Sequence, residues 1–327
     1  MRIALAAAAI MVGFAAIPLH GQGPSPLLPP RWIPGAAASP ATAAFALRVG
    51  GRRVPLRVMA LAVLPGDEVE ITREGTVGGR LDAVAGGGRL RSDGPDAWRW
   101  AAPDRPGFHT LRFASDEARD TIHLTMMVMR PLTDVRNGSL DDYEIGRYSA
   151  RPTSMSEAYE PPRGLVEAHP SGYDILVSPN FKLGDFLCKQ PGEPRYLLAS
   201  SRLLVKLEAL LAAVNEAGYP TPGLTVMSGF RTPAYNRAIG NTTDFSRHLW
   251  GDAADVYVDV DGDGHMDDLN RDGRSNIDDA RWLAGIVEGL MAADGRGLRP
   301  GGLAVYRPNA VHGPFVHVDT RGHRARW

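Results

Sequence analysis

The chain has 327 residues, 44 % of them apolar, enough for two domains with buried cores and too apolar for wholesale disorder. Its 36 basic and 37 acidic residues leave a formal charge of −1, which gives no electrostatic basis for nucleic-acid binding. Cys188 is the only cysteine and excludes an intramolecular disulfide; in the run Phe186-Leu187-Cys188 it reads as a buried, inert thiol.

Met1-Arg2 gives a short positive start, and Ile3 to Leu19 is almost wholly apolar and uncharged. This pattern predicts a secretory signal over residues 1–22, with an uncleaved anchor as the alternative. A secreted, periplasmic protein with no stable membrane insertion after cleavage is therefore expected. Residues 23–42 are rich in Pro, Ala and Ser and read as a flexible leader. Across residues 43–130 short alternating segments recur, among them Val69-Glu70-Ile71-Thr72, Trp98-Arg99-Trp100 and Thr121-Ile122-His123-Leu124-Thr125. With Pro65-Gly66-Asp67 and Pro106-Gly107 where turns are needed, they predict a small antiparallel β-sandwich.

Residues 131–195 form a less regular connector rich in Pro, Gly and Tyr. Residues 196–327 then mix helices and strands, so the whole chain is expected to be α+β. Leu203, Leu204, Leu207, Leu210, Leu211 and Val214 recur at helical spacing, and Gly218-Tyr219-Pro220 ends that helix. A strand follows at Leu224–Met227, a second helix runs from Ile277 through Leu290, and the last strands are Gly302–Tyr306 and Phe315–Asp319.

The residues able to do chemistry gather in this last part. Ser246-Arg247-His248-Leu249-Trp250-Gly251-Asp252-Ala253-Ala254-Asp255 sets a histidine and an aspartate seven residues apart, among small residues that permit close backbone approach. His312-Gly313-Pro314-Phe315-Val316-His317-Val318-Asp319 adds two histidines. Catalytic zinc takes three protein ligands from His and carboxylate and leaves a position for water, and His248, Asp255 and His317 supply such a set. On spacing alone the same residues could equally be core or surface side chains.

The combined pattern narrows this. Ser246, His248, Gly251, Ala253 and Asp255, with the upstream Ser228-Gly229-Phe230-Arg231-Thr232-Pro233 and Asn236 and the closing Phe315-Val316-His317-Val318-Asp319, resemble the zinc D-Ala-D-Ala carboxypeptidase family, whose fold is shared with hedgehog signalling domains. The resemblance covers about Leu203 to Trp327. It implies a hedgehog/DD-peptidase-like zinc domain, a peptidoglycan peptide as substrate, and a D-Ala-D-Ala carboxypeptidase or related endopeptidase activity. It also implies Zn2+ on His248, Asp255 and His317, and His312 as the proton-transfer residue, since Pro314 stands where some branches carry a carboxylate. Arg231 would stabilise negative charge on the scissile carbonyl or bind a substrate carboxylate, with a structural salt bridge as the alternative. Asp319 could orient a ligand imidazole or merely pair with Arg321 or Arg324, and Trp250 could wall the cleft or fill a core.

An acidic insertion, residues 259–279, interrupts this domain. Calcium loops space oxygen ligands along twelve residues with glycine at the sixth. Asp268, Asn270, Asp272, Asn276 and Asp279 fit that register with Gly273 at the turn, which predicts Ca2+ as a second ion. A second register starting at Asp259, with Asp261, Asp263, Gly264 and Asp267, is weaker because its twelfth position is Asn270. Two non-enzymatic readings stand beside the peptidase: a zinc-containing wall-binding module without turnover, and a calcium-organised adhesion or scaffold protein.

Overall fold

The computed structural model describes residues 27–33, 37–75, 79–293 and 297–327. The expected signal, residues 1–22, lies outside the described residues. No helix among the described residues is long and apolar enough to cross a membrane. The architecture mixes α and β, with many strands and few helices.

The N-terminal part is two stacked sheets. Strands β1 (Thr42–Val49), β2 (Arg52–Leu56), β4 (Glu68–Glu74), β6 (Arg89–Gly94) and β7 (Ala97–Ala101) form one, in the order β2-β1-β4-β7-β6. Strands β3 (Val58–Val63), β5 (Leu81–Ala85), β8 (Gly107–Ser115) and β9 (Asp120–Val128) form the other, ordered β3-β9-β8-β5. Alternate residues turn inward, so Ile71, Trp98 and Trp100 of one sheet meet Leu111, Phe113, Ile122 and Leu124 of the other, and the Trp98 and Phe113 rings touch edge to face at 5.1 Å. One feature departs from the expected antiparallel sandwich: β3 and β9 are parallel. The chain crosses from one sheet to the other at Arg57 with no hairpin, and Arg57 is held there by Asp120 at 3.0 Å.

The expected leader is tied to the segment that follows these sheets. Trp32 N donates to Asp174 O, Leu176 N to Pro30 O and Ser39 N to Asn180 Oδ1. Between the two parts, Gly164–Ala168 pairs with Arg130–Pro131 on one side and Arg195–Leu197 on the other, and Cys188 is fully buried.

The C-terminal part is built on a five-stranded sheet ordered Thr225–Ser228, Ala253–Tyr257, Phe315–Asp319, Gly302–Tyr306, Ala325–Arg326. Helix α1 (Ser201–Glu216) buries Leu203, Leu204, Leu207, Leu210, Leu211 and Val214, the stripe expected from spacing. Helix α3 (Ile277–Ala292) buries Ala280, Leu283, Ala284, Val287 and Leu290 and lies against both α1 and the sheet. A short helix, α2 (Pro233–Ala238), was not anticipated; Thr232 caps it by accepting from Tyr235 N, and Pro233 opens it. One continuous apolar core runs through both parts.

Candidate metal centre

The sheet register brings the central residues together. Asp255 and His317 are direct cross-strand partners, and Ala253 faces Asp319 two pairs along. The alanine leaves room for that carboxylate, which is fully buried. His248 comes from a single helical turn, Arg247–Trp250, closed by Gly251 at φ +62°. A β-carbon at Gly251 would sit 2.3 Å from the Leu198 carbonyl oxygen, so the motif glycine meets both a left-handed backbone and a close approach.

His248, Asp255 and His317 each offer a ligand atom, and these atoms lie within 4.8 Å of one another, all buried. His317 Nδ1 is 2.8 Å from Asp255 Oδ1, and His248 Nε2 is 3.2 Å from His317 Nδ1. The far nitrogen of each imidazole is engaged. His248 Nδ1 donates to the Gly229 carbonyl at 2.7 Å, and His317 Nε2 faces Asp319 Oδ2 at 3.3 Å. Each ring therefore points its remaining lone pair into the shared space, as ligand imidazoles require. The donor set fits a divalent ion such as zinc.

Electrostatics agree with that geometry. Burial alone would raise the Asp255 carboxyl, but His248 and His317 hold it far below the usual carboxylate range. Burial pushes His248 down, toward the neutral form that can ligate. His317 is also opposed by burial, yet Asp255 and Asp319 hold it up.

The expected catalytic residues border the same cleft. Arg231 Nη2 donates to Asp255 Oδ2 at 2.6 Å and Nε to Ser228 Oγ at 2.9 Å, so its guanidinium fixes the second oxygen of a candidate ligand. His312 is half-buried against the Phe315 ring, with Nδ1 2.8 Å from Gly313 O and Nε2 2.8 Å from Asn309 Nδ2. Trp250 stacks on Phe245 and meets Tyr148 and Tyr159 edge on, which supports Phe245 where it lines the cleft. Sequence reasoning missed the aromatic wall of Tyr306, Phe315 and Trp327. Tyr306 and Phe315 stack at 4.6 Å, and Trp327 packs on His317 at 5.2 Å. Tyr306 and Trp327 carry no motif signal; Phe315 opens the motif strand, but its place in this wall was not read from it.

The acidic insertion has a different distribution from the expected one. Asp279 is fully buried and accepts from the backbone N–H groups of Leu269, Asn270 and Asn276, so it caps α3. Asp268 accepts from Asp272 N and Gly273 N, and the Asn276 side chain accepts from Asp278 N. Among the described residues, the other group of three converging ligand atoms is Asp259, Asp261 and Asp267, which belongs to the register set aside on sequence grounds.

A sheet that presents a histidine and an aspartate, joined by a second histidine from the adjoining helical turn, in a cleft is an arrangement suited to a metal-dependent hydrolase. Residues 179–274 match the family model described as Peptidase M15, so this part of the chain is similar to that family of peptidases. The match contains His248, Asp255 and Arg231 and ends before the strand of His317. It begins at Pro179, inside the segment read from sequence as a connector. No match was found among curated proteins or among solved structures.

Proposed function

We propose that this protein is a zinc-dependent peptidase that hydrolyses peptide bonds in peptidoglycan peptides, with zinc held by His248, Asp255 and His317. The reading is carried by the convergence of these three donors with both outer imidazole nitrogens already engaged, in a chain part of which is similar to a peptidase family. Zinc, when bound, lowers the pKa of its water to about 7 and so makes hydroxide available at neutral pH. Arg231 holds the Asp255 carboxylate in place and borders the substrate space, where its charge favours a developing oxyanion. His312 is the group that takes up a proton and returns it to the leaving amine. Its two ring contacts are to its own loop, which holds the imidazole at the cleft. The hedgehog-like detail of the fold and export to the periplasm belong to the same proposal, the latter supported by the apolar run Ile3 to Leu19.

We further propose that the insertion takes calcium to stiffen the segment between the Asp255 strand and α3, supported by the spacing of its carboxylates. Titrating calcium into metal-free protein should raise the melting temperature, and an unchanged one would remove that ion.

The experiment for the main reading is zinc content plus turnover on purified peptidoglycan, with products identified by mass spectrometry. One zinc per chain and chelator-sensitive cleavage are expected. Zinc without cleavage would instead favour a wall-binding module.

A further inference from the structure

A second cleft lies where the N-terminal sheets meet the C-terminal part. The start of β2, the first turn of α1 and the segment leading into Gly302–Tyr306 enclose about 590 Å3, open to solvent. It shares no lining residue with the cleft over His248, Asp255 and His317. Arg52, Arg53, Arg202 and Arg299 line it, and among the described residues no carboxylate does. In a chain of formal charge −1, this is a local concentration of cations.

Ion pairs do not account for them. Arg53 is drawn off to Glu74 at 2.6 Å, but Arg52, Arg202 and Arg299 have no carboxylate partner among the described residues. Asp252, an acid whose charge reaches Arg202, is held through both oxygens by Arg247, at 2.8 and 2.6 Å. Loss of surrounding water, and then the charges of Arg299 and Arg52, push the Arg202 guanidinium below its ordinary value, with Asp252 acting the other way. Arg299 is held at the cleft by its Nε, which donates to Thr320 O at 2.9 Å. Like charges brought together without a counter-charge cost stability, and an anion between them removes that cost.

The backbone adds to the same field. Helix α1 starts in this cleft with no acidic residue in its first turn, and Ser200 caps it without a side-chain hydrogen bond. The first N–H groups of a helix lack partners within it and carry the positive end of its dipole. Ser201 is only 8 % exposed and lines the cleft, and its hydroxyl has no hydrogen-bond partner among the described residues. A buried hydroxyl in that position is a donor waiting for an acceptor.

We propose that this cleft is a binding site for a phosphate dianion, held by the forks of Arg52, Arg202 and Arg299 and by the Ser201 hydroxyl at the start of α1. An arginine fork suits a carboxylate as well, but a carboxylate brings one charge and two oxygens to three cations. A phosphate monoester brings nearly two charges and three acceptor oxygens. The cleft is also larger than a single phosphate, which leaves room for a sugar that carries one.

The test is calorimetric titration of the full zinc-loaded protein with inorganic phosphate, with glucose 6-phosphate and with acetate, beside the double variant Arg52→Gln/Arg202→Gln. Both arginines are exposed, so the variant should fold with an unchanged or higher melting temperature. Phosphate should bind, acetate should bind at least about tenfold more weakly, and the double variant should lose about tenfold or more per arginine removed. Tighter binding of glucose 6-phosphate than of inorganic phosphate would identify a phosphorylated saccharide as the occupant, and equal binding the free ion. Phosphate that bound through the zinc alone would bind the folded double variant unchanged, and that result would overturn the proposal. So would acetate binding as tightly as phosphate, or no binding of either phosphate at millimolar concentration. Cleavage of wall peptides by the double variant should match the unsubstituted protein, so the peptidase reading stands or falls separately.

Discussion

Asp319 Oδ2 faces His317 Nε2 at 3.3 Å, two residues along the same strand face, while its two oxygens also accept from Gly302 N and from Arg321. The carboxylate is thus fixed from three sides and in turn fixes the ring whose other nitrogen points at Asp255. Removing such an outer partner typically weakens metal binding by about 10- to 100-fold. Asp319→Asn keeps the shape and removes the charge, and Lys206 still reaches the residue 319 carbonyl. Zinc affinity, read by competition with a chelator, should drop by about that factor. Unchanged affinity would mean that Asp319 serves only its pair with Arg321.

His317 and His312 should separate cleanly. The first is buried with Asp255 against one nitrogen, and the second borders the cleft on a loop. His317→Ala is expected to lose both zinc and turnover. His312→Ala should retain stoichiometric zinc and lose about 10²- to 10⁴-fold in kcat, the usual range for a positioned acid–base group. A His317→Ala protein that still turns over substrate would sink the ligand assignment.

Gly251→Ala should damage both stability and metal binding. The backbone there is left-handed, which costs an L residue about 1–2 kcal/mol, and the new methyl would meet the Leu198 carbonyl. Because Gly251 N closes the turn onto the His248 carbonyl, relief of the clash would move the ligand itself. Gly285→Ala is the control: it lies within α3 with nothing in reach of a β-carbon and should stabilise by about 0.5–1 kcal/mol. Urea unfolding checks both signs.

Much of this was legible in the chain, for reasons that differ from part to part. The α1 stripe and the alternation through Trp98-Arg99-Trp100 are periodic burial signals, so those elements could be read directly. The grouping of His248, Asp255 and His317 was expected from the resemblance carried by Ser246, Gly251 and Ala253 around them, not from spacing alone, and the three side chains do lie together. The parallel pairing of β3 with β9 was not, because parallel and antiparallel strands bury the same alternate residues. Nor was the role of Asp279, which suits a calcium position and a helix cap equally until its backbone donors are seen. The pairing of Arg231 with Asp255, 24 residues apart, is likewise recorded by no local pattern.

Asp185 supplies a stability test remote from the metal. Burial raises its carboxyl from 3.8 to about 6, against the opposing hydrogen bond from Lys182 N. The folded state therefore prefers the protonated acid more strongly than the unfolded chain does. That contribution is fully present below the unfolded value of 3.8 and is lost as pH rises through about 6. Asp185→Asn stays neutral and can still accept from Lys182 N through its amide oxygen. Relative to the unsubstituted protein, the variant should therefore gain about 2–3 kcal/mol between pH 3.5 and pH 7, whatever constant offset the substitution itself brings. Urea unfolding of both proteins at the two ends of that window measures the difference directly. A difference that does not change with pH would show that Asp185 ionises in the folded protein as it does in the unfolded one.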